Sequence, residues 1–348
     1  LSLTGKGYIA SMYKQYGKVI SPMGCRAFLS PWYERGGMYP ADDQDEPVFV
    51  GRFNIGAVSL HLPMILAKSR QENKDFYEVL DYYLNLIRNL HIRTYAYLGE
   101  MRASTNPLAY CEGGFLGGHL QLHDKIKPIL KSATASFGIT AFNELQELYN
   151  GKSLVEDGEF ALEVLEHINQ KISEYKEEDG NLYAIYGTPA ETLCYRFARI
   201  DREKYGDISN VTDKGYYTNS YHVDVREKID AFTKFKIESE FQNKSLGGAI
   251  SYVEVPNLTN NVEAIEEVIR FIYDNIQYGE FNTKSDYCQV CGYDGEIMIN
   301  DNMEWECPQC HNKDHAKMNV TRRTCGYLGE NFWNAGKTKE IKARVLHL

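Results

Sequence analysis

Four cysteines near the C-terminus carry the clearest chemistry in this sequence. Cys288-Gln289-Val290-Cys291 and Cys307-Pro308-Gln309-Cys310 are two CxxC pairs with fifteen residues between them. Two intervening residues let a turn aim both sulfurs at one ion, and two such turns complete a closed tetrahedron of thiolates, the spacing of a structural zinc site. Two disulfides, or four cysteines with unrelated roles, are the other readings of these residues. A closed four-thiolate site has no open coordination position, so it performs no reaction and holds backbone in place. What it would hold lies sixteen residues after Cys310, in Arg323-Thr324-Cys325-Gly326-Tyr327. Taken alone, Gly326 reads as a turn glycine, as most of the 28 glycines do.

Arg-Thr-Cys-Gly-Tyr followed by Leu328-Gly329, directly behind a four-cysteine site, resembles the glycyl-radical loop of the anaerobic (class III) ribonucleoside-triphosphate reductases, a family of glycyl radical enzymes. The resemblance implies that Gly326 holds a radical installed after translation. Glycine suits that task because a radical on an α-carbon is stabilised by the amide nitrogen and the carbonyl only if the centre flattens. A side chain would resist flattening and crowd a tight loop. Met23-Gly24-Cys25-Arg26 resembles the finger loop of the same family, which implies that Cys25 becomes the transient thiyl radical. Pro22 and Gly24 argue against a helix there, so a cysteine at a loop tip fits; a small buried cysteine is the other reading.

Further motifs extend the resemblance. Arg52-Phe53-Asn54-Ile55-Gly56 resembles the barrel strand beside the active-site cysteine, making Asn54 a candidate to bond a ribose hydroxyl; satisfying backbone at a bend is its other reading. Thr188-Pro189-Ala190-Glu191 resembles a family motif in which Thr188, Ala190 and Glu191 are candidates to hold substrate phosphate at a helix N-terminus. Capping alone, with Thr188 as N-cap, Pro189 at the first helical position and Glu191 completing a capping box, explains the same residues. Tyr216 to His222 also resembles a family segment near the active site. Met318 stands eight residues before Gly326, and formate-using members place a methionine near this loop. Cys325 reads as a second redox partner or as packing beneath the loop. Cys111, Cys194, His119 and His123 carry no assignment.

The family resemblance implies anaerobic reduction of ribonucleoside triphosphates to 2′-deoxyribonucleoside triphosphates, with formate as the expected co-substrate and a redoxin as the alternative reductant. It implies a separate activating enzyme that uses S-adenosylmethionine and a [4Fe-4S] cluster, nucleotide effectors, and a homodimer of the complete enzyme. Two other functions fit parts of the sequence. A pyruvate formate-lyase-like acyltransferase would need adjacent cysteines, whereas Cys25 sits between Gly24 and Arg26. A non-enzymatic zinc-ribbon module would show a basic, aromatic surface, whereas Asp294, Glu296, Asp301, Glu304 and Glu306 lie between the knuckles.

The elements that must position these residues follow from hydrophobic periodicity. Ile9, Met12, Tyr13 and Tyr16 have helical spacing. Residues 48–62 read as a buried strand that Gly51 and Gly56 allow to bend. Phe76, Leu80, Tyr83, Ile87 and Leu90 mark a long amphipathic helix. Residues 104–132 read as loop, 132–140 as a strand, 141–149 as a helix, and Leu162, Leu165, Ile168 and Ile172 as the next helix. Residues 182–187 and 247–255 read as further strands, and Val262 to Ile276 marks the last amphipathic helix. Strands separated by crossovers of a dozen or more residues imply parallel pairing. The fold class is α/β, and the resemblance implies the second half of a ten-stranded α/β barrel (residues 1–280) followed by a zinc-binding and glycyl-radical domain (residues 281–348).

Composition bounds the rest. A chain of 348 residues with 43% hydrophobic content supports a sizeable core, and a formal charge of −10 argues against a nucleic-acid binder. Eight cysteines, four of them ligand-like, suit a reducing cytoplasm. No apolar run approaches the ~18 residues of a membrane span, and no signal peptide is evident. The sequence begins at Leu1 in what reads as mid-domain sequence. It is therefore expected to be a fragment or one part of a split enzyme, with the N-terminal half-barrel upstream and no turnover by itself.

Overall fold

The computed structural model describes residues 8–10, 17, 20, 23, 26–256, 258, 260–323, 328–330 and 333–347. Its framework is two three-stranded sheets fed by helical crossovers. A short strand β1 (Tyr8–Ala10) is followed by β2 (Asn54–Ser59), and helices α1 (Leu62–Glu72) and α2 (Phe76–Gly99) then lead to β3 (Thr134–Ile139). Helices α3 (Phe142–Asn150) and α4 (Glu159–Asp179) connect β3 to β4 (Leu182–Gly187). Strands β2, β3 and β4 pair in parallel in that order. Every residue of β3 is buried, as expected of a central strand covered on both faces.

The crossover helices bury one stripe against this sheet. Leu80 and Leu84 of α2, Val164, Leu165 and Ile168 of α4, and Phe137 of β3 are among the residues of one continuous core, and each such side chain contributes roughly 1.5–3 kcal/mol. Asp75 caps α2 by accepting hydrogen bonds from the backbone of Tyr77 and Glu78. Its buried stripe runs Phe76, Val79, Leu80, Leu84, Ile87, His91 and Tyr95. Leu90, expected on that face, is 47% exposed, because 3.6 residues per turn rotates the stripe toward His91 over so long a helix.

Beyond β4 come α5 (Glu191–Tyr205), α6 (Ala231–Gln242), β5 (Ser251–Glu254), α7 (Val262–Asn275) and β6 (Tyr278–Asn282). β5 and β6 pair in parallel, and β1 lies antiparallel on the other side of β6. The helical spacing at Ile9 is therefore overturned: residues 8–10 are strand, because β6 offers a ladder of hydrogen bonds that a short isolated helix cannot match. Met12, Tyr13 and Tyr16 lie outside the described residues. The two sheets are joined where Gly247 N–H donates to Ile185 O and Gly187 N–H donates to Gly248 O, both at 2.7 Å. Three parallel strands of one sheet thus meet two parallel strands of the other, and among the described residues they form two sheets and not a closed barrel.

The strand expected from residue 48 begins only at Asn54. Gly51 has φ 74 and Gly56 φ 145, and the ladder register shifts between Asn54 and Gly56, so the bend is a bulge that requires glycine. Leu62 opens α1 with Pro63 in its first turn, where a missing N–H costs nothing.

The C-terminal segment consists of short antiparallel pairs: β7 (Asp286–Cys288), β8 (Asp294–Gly295), β9 (Met298–Ile299), β10 (Trp305–Glu306), β11 (Met318–Asn319), β12 (Thr321–Arg323) and β13 (Leu328–Glu330), then helix α8 (Ala335–Ala343). The tail returns to the α/β part. Val345 N–H donates to Val225 O at 3.0 Å and His347 N–H to Glu254 O at 2.9 Å. Arg344 Nη1 stands 2.9 Å from Glu254 Oε1. Gly336 of α8 packs so closely on Tyr195 of α5 that a Cβ there would lie 2.4 Å from the ring.

Candidate active site and metal centre

The four cysteines converge. All four Sγ atoms lie within 4.8 Å of one another. Cys288 and Cys310 are 3.7 Å apart, as are Cys291 and Cys307. These separations exclude disulfides, whose sulfurs are about 2.05 Å apart. They fit a tetrahedron of ligands around an ion with metal–sulfur bonds of about 2.3 Å, whose edges are about 3.8 Å. His119 and His123 are exposed, and the metal-capable cluster among the described residues is the four-cysteine one.

Each knuckle is built the same way. Gly292 N–H donates to Cys288 O, and His311 N–H to Cys307 O, both at 2.9 Å. Cys288 N–H donates to Tyr293 O and Cys307 N–H to Asn312 O, again at 2.9 Å. Gly292 and His311 both take the left-handed conformation, with φ 75 and 58. One knuckle uses glycine for that turn; the other bears the cost on a histidine whose Nδ1 lies 2.7 Å from Glu306 Oε1.

An ion bound here should be a single zinc per chain, retained through dilution and removed by a strong chelator. Structural zinc is worth about 10–16 kcal/mol in small zinc peptides, so its removal should unfold the ribbon. Hydrogen exchange is expected to rise across residues 286–330 while β2, β3 and β4 stay protected. Metal analysis of Cys307→Ser showing undiminished zinc would refute the assignment.

From this cluster the chain runs straight to the segment that contains Gly326. Met318 of β11 pairs with Cys288; it is buried. Thr321 N–H donates to Asp286 Oδ1 at 3.2 Å. Arg322 pairs with both oxygens of Asp286, Nη2 to Oδ2 at 2.6 Å, and donates to Ile297 O at 3.1 Å. Arg323 Nε donates to Phe281 O at 3.0 Å, and its Nη1 lies 2.7 Å from Glu280 Oε2. Three successive residues of β12 are therefore anchored, and Arg323 then pairs with Leu328 of β13. Thr324, Cys325, Gly326 and Tyr327, between those partners, lie outside the described residues.

The segment around Cys25 is flanked similarly. Met23 N–H donates to Ala27 O at 2.7 Å and Ala27 N–H to Met23 O at 3.1 Å; Gly24 and Cys25 lie outside the described residues. The stretch that follows runs across the strands. Phe28 N–H donates to Gly247 O at 3.0 Å. Ser30 Oγ donates to Tyr183 O at 2.8 Å, and Ser30 N–H to Thr134 Oγ1 at 3.3 Å. Arg26 is fully buried. Its Nη1 reaches Gly187 O only at 3.4 Å, and its Nε and Nη2 have no hydrogen-bond partner among the described residues.

The other expected site residues show local structural partners. Asn54 Nδ2 donates to Ser136 Oγ at 2.6 Å, and its Oδ1 accepts from Gly56 N–H at 2.7 Å, which satisfies the bulge. Thr188 does not cap α5. That helix begins at Glu191 with Ala190 at the N-cap and no side-chain cap, because the Thr188 hydroxyl is taken by Ser59 Oγ at 2.8 Å. The segment from Tyr216 to His222 is a buried polar network: Thr218 donates to Glu144 from both N–H and Oγ1, and Tyr217 OH donates to Asp201 at 2.8 Å. Burial brings His222 down to about 4, so it is a neutral ring beside Glu238 at 3.3 Å. Cys194 is buried and Cys111 half-buried, and neither joins the cluster.

The burial of Arg26 and the roles of Glu280 and the Asp286–Arg322 pair are not expected from the motifs above. The signal was present: Tyr278-Gly279-Glu280-Phe281-Asn282 places a carboxylate inside an apolar strand, where burial demands a partner.

Residues 4–347 match the family model of the anaerobic ribonucleoside-triphosphate reductase. The chain is 37% identical over 344 residues to the anaerobic ribonucleoside-triphosphate reductase of Haemophilus influenzae, a match covering 96% of this chain and 47% of that one. It is 36% identical over 337 residues to that of Enterobacteria phage T4, covering 94% and 53%. A solved anaerobic ribonucleotide reductase superposes with a TM-score of 0.61 at 20% identity, covering 83% of this chain and 44% of that one. The Thermotoga maritima enzyme in complex with dATP and CTP gives 0.58 at 19%, covering 84% and 47%; likeness at such identities speaks for the fold alone. The chain spans about half the length of the curated relatives it matches.

Proposed function

The chain belongs to the anaerobic ribonucleoside-triphosphate reductase family, and on that premise we propose that it carries the radical-storing and hydrogen-abstracting part of such an enzyme's catalytic centre. The observation that supports this reading most is β12: the strand that leads toward Gly326 is anchored residue by residue to Asp286 and Glu280, immediately beside four converged thiols. Zinc, held by Cys288, Cys291, Cys307 and Cys310, supplies no step; it keeps that strand in place. Residues 281–348 act as the zinc-binding and radical unit, and the preceding residues supply half of the barrel.

In the proposed sequence, a radical-SAM activating enzyme removes a hydrogen atom from the α-carbon of Gly326. The glycyl radical takes the hydrogen atom of the Cys25 thiol. The thiyl then abstracts the 3′ hydrogen atom of a ribonucleoside triphosphate, and the 2′ hydroxyl takes up a proton and leaves as water. Formate supplies two electrons and a proton and leaves as carbon dioxide, and the Cys25 thiol returns its hydrogen atom to the 3′ carbon. Asn54, whose amide already spans the bulge of β2, is the candidate contact for a ribose hydroxyl. Thr188, Ala190 and Glu191, at the start of α5, are the candidates to hold the triphosphate, with backbone N–H groups as donors. Nucleotide effectors and the dimer interface are assigned to the part of the relatives' length that this chain does not span.

The test is a product assay. Combined anaerobically with a polypeptide corresponding to the other half of its relatives and with the activating enzyme, the chain should convert ribonucleoside triphosphates to deoxynucleotides, with carbon dioxide released in equimolar amount from formate. Turnover that depends on a redoxin and releases no carbon dioxide would replace formate as the reductant. Acyl transfer from pyruvate without any deoxynucleotide would replace the reading itself.

A further inference from the structure

Glu280 is a fully buried carboxylate on β6. Two cations act on it, Arg323 in direct contact and Arg26 through its electrostatic field, and each flanks a different loop of the proposed radical relay. Arg323 stands on the strand leading to Gly326, with Nη1 2.7 Å from Glu280 Oε2 and Nε donating to the adjacent Phe281 O. Arg26 immediately follows Cys25. It is also fully buried, is too basic to shed its proton, and has two N–H donors without hydrogen-bond partners. A buried cation of this kind requires a counter-charge. The charge of Arg26 acts on Tyr221, His222 and Glu280, of which Glu280 is the carboxylate.

Packing also brings the residues after Cys25 onto β6, independently of charge. Phe28 meets Tyr278, two residues before Glu280 on the same face of β6, edge to face at 6.2 Å. Ile20, Phe28, Ile250 and Tyr278 form one apolar cluster. Gly248, with φ 120, lies so close to Arg26 that a Cβ there would be 2.1 Å from the Arg26 carbonyl oxygen. The residues after Cys25 thus pack on the first residue of β6, and Glu280, in the middle of the same strand, reaches Arg323.

We propose that Glu280 is a positioning residue for the radical relay: its carboxylate is the shared counter-charge of Arg26 and Arg323, and it fixes the residues after Cys25 and the strand before Gly326 relative to each other. The inference rests on the reading of Gly326 and Cys25 given above. Hydrogen transfer between two loops tolerates little slack, and a displacement of about 1 Å at a reacting pair can cost about 10²-fold in rate. The same charge arrangement makes the relay sensitive to pH. Burial raises the Glu280 carboxyl to about 7, with Arg323, Arg26 and the Tyr278 hydroxyl opposing it. The other groups in its surroundings are Tyr252 in register on β5 and, further along that strand, Glu254 with Arg344; Tyr8 of β1 is its register partner on the other side. As pH falls through about 7, protonation of Glu280 would remove the counter-charge from both arginines.

The experiment uses the reconstituted, activated enzyme and scores zinc content, glycyl-radical yield and turnover per radical from pH 6 to 8. Glu280→Gln should keep its zinc and accept the radical to within about twofold, while turnover per radical falls about 10²-fold. Wild type should lose turnover per radical as pH drops below about 7, and Glu280→Gln should lack that limb. Glu280→Asp, which keeps the charge on a shorter arm, should retain the limb at a reduced rate. Unchanged turnover and pH profile in Glu280→Gln would overturn the proposal. So would a parallel loss of zinc, radical yield and turnover in both variants, which would make Glu280 a folding residue. Wild type and Cys25→Ser run alongside separate the two levels of inference: a wild-type protein without a Gly326 signal, or a Cys25→Ser protein that still reduces nucleotides, would remove the underlying reading, whatever Glu280 does.

Discussion

Activated protein admitted to air should be cut in two at Gly326. A radical on a backbone α-carbon combines with dioxygen there, and the resulting peroxyl species breaks the chain; an ordinary turn glycine does neither. The expected masses are a long fragment ending at or just before Gly326 and a short one beginning near Tyr327. The Gly326→Ala variant and wild type that was never activated should stay whole. The effect is all or none, which makes it the sharpest separation between a radical site and a glycine chosen for its turn. An activated protein that gives an electron paramagnetic signal but remains uncut, or is cut elsewhere, would remove Gly326 from the mechanism.

The second large effect is an uncoupling. Cys25→Ser should abolish nucleotide reduction in the reconstituted enzyme and leave the Gly326 signal obtainable. In the proposed sequence activation acts on the Gly326 α-carbon and does not require the thiol, whereas a serine hydroxyl holds its hydrogen too firmly for a glycyl radical to take it. Loss of signal and activity together is expected for Gly326→Ala instead. Retained reduction in Cys25→Ser would transfer the thiyl role to another cysteine, and Cys325 would be tested next.

Much of the framework was legible because it depends on short-range pattern. The apolar run of β3 and the stripe of α4 are read correctly from periodicity, and the two CxxC pairs predict the convergence of four sulfurs. The failures have a common physical cause, which is competition from partners distant in sequence. Ile9 has helical spacing, but β6 supplies a ladder at residues 8–10. Thr188 has the composition of an N-cap, but Ser59, from a strand 129 residues earlier, takes its hydroxyl. Asn54 is legible as a polar residue at a bend, and its bonds to Ser136 and Gly56 follow that reading. Glu280 is not legible in the sequence because Arg323, which pairs with it, lies 43 residues away and Arg26 near the other end of the chain, so no local window contains all three.

The return of the tail to the α/β part separates damage from disassembly. Residues after the proposed cut are held by β13 on β12, by α8 on α5, and by the bonds of Arg344, Val345 and His347 to Glu254 and Val225. None of these contacts depends on the peptide bond at Gly326. An oxygen-nicked molecule would therefore elute at its native size and release its short fragment only in denaturant. Its severed tail would become a bound peptide ligand, exchangeable in principle for an intact copy of the same segment.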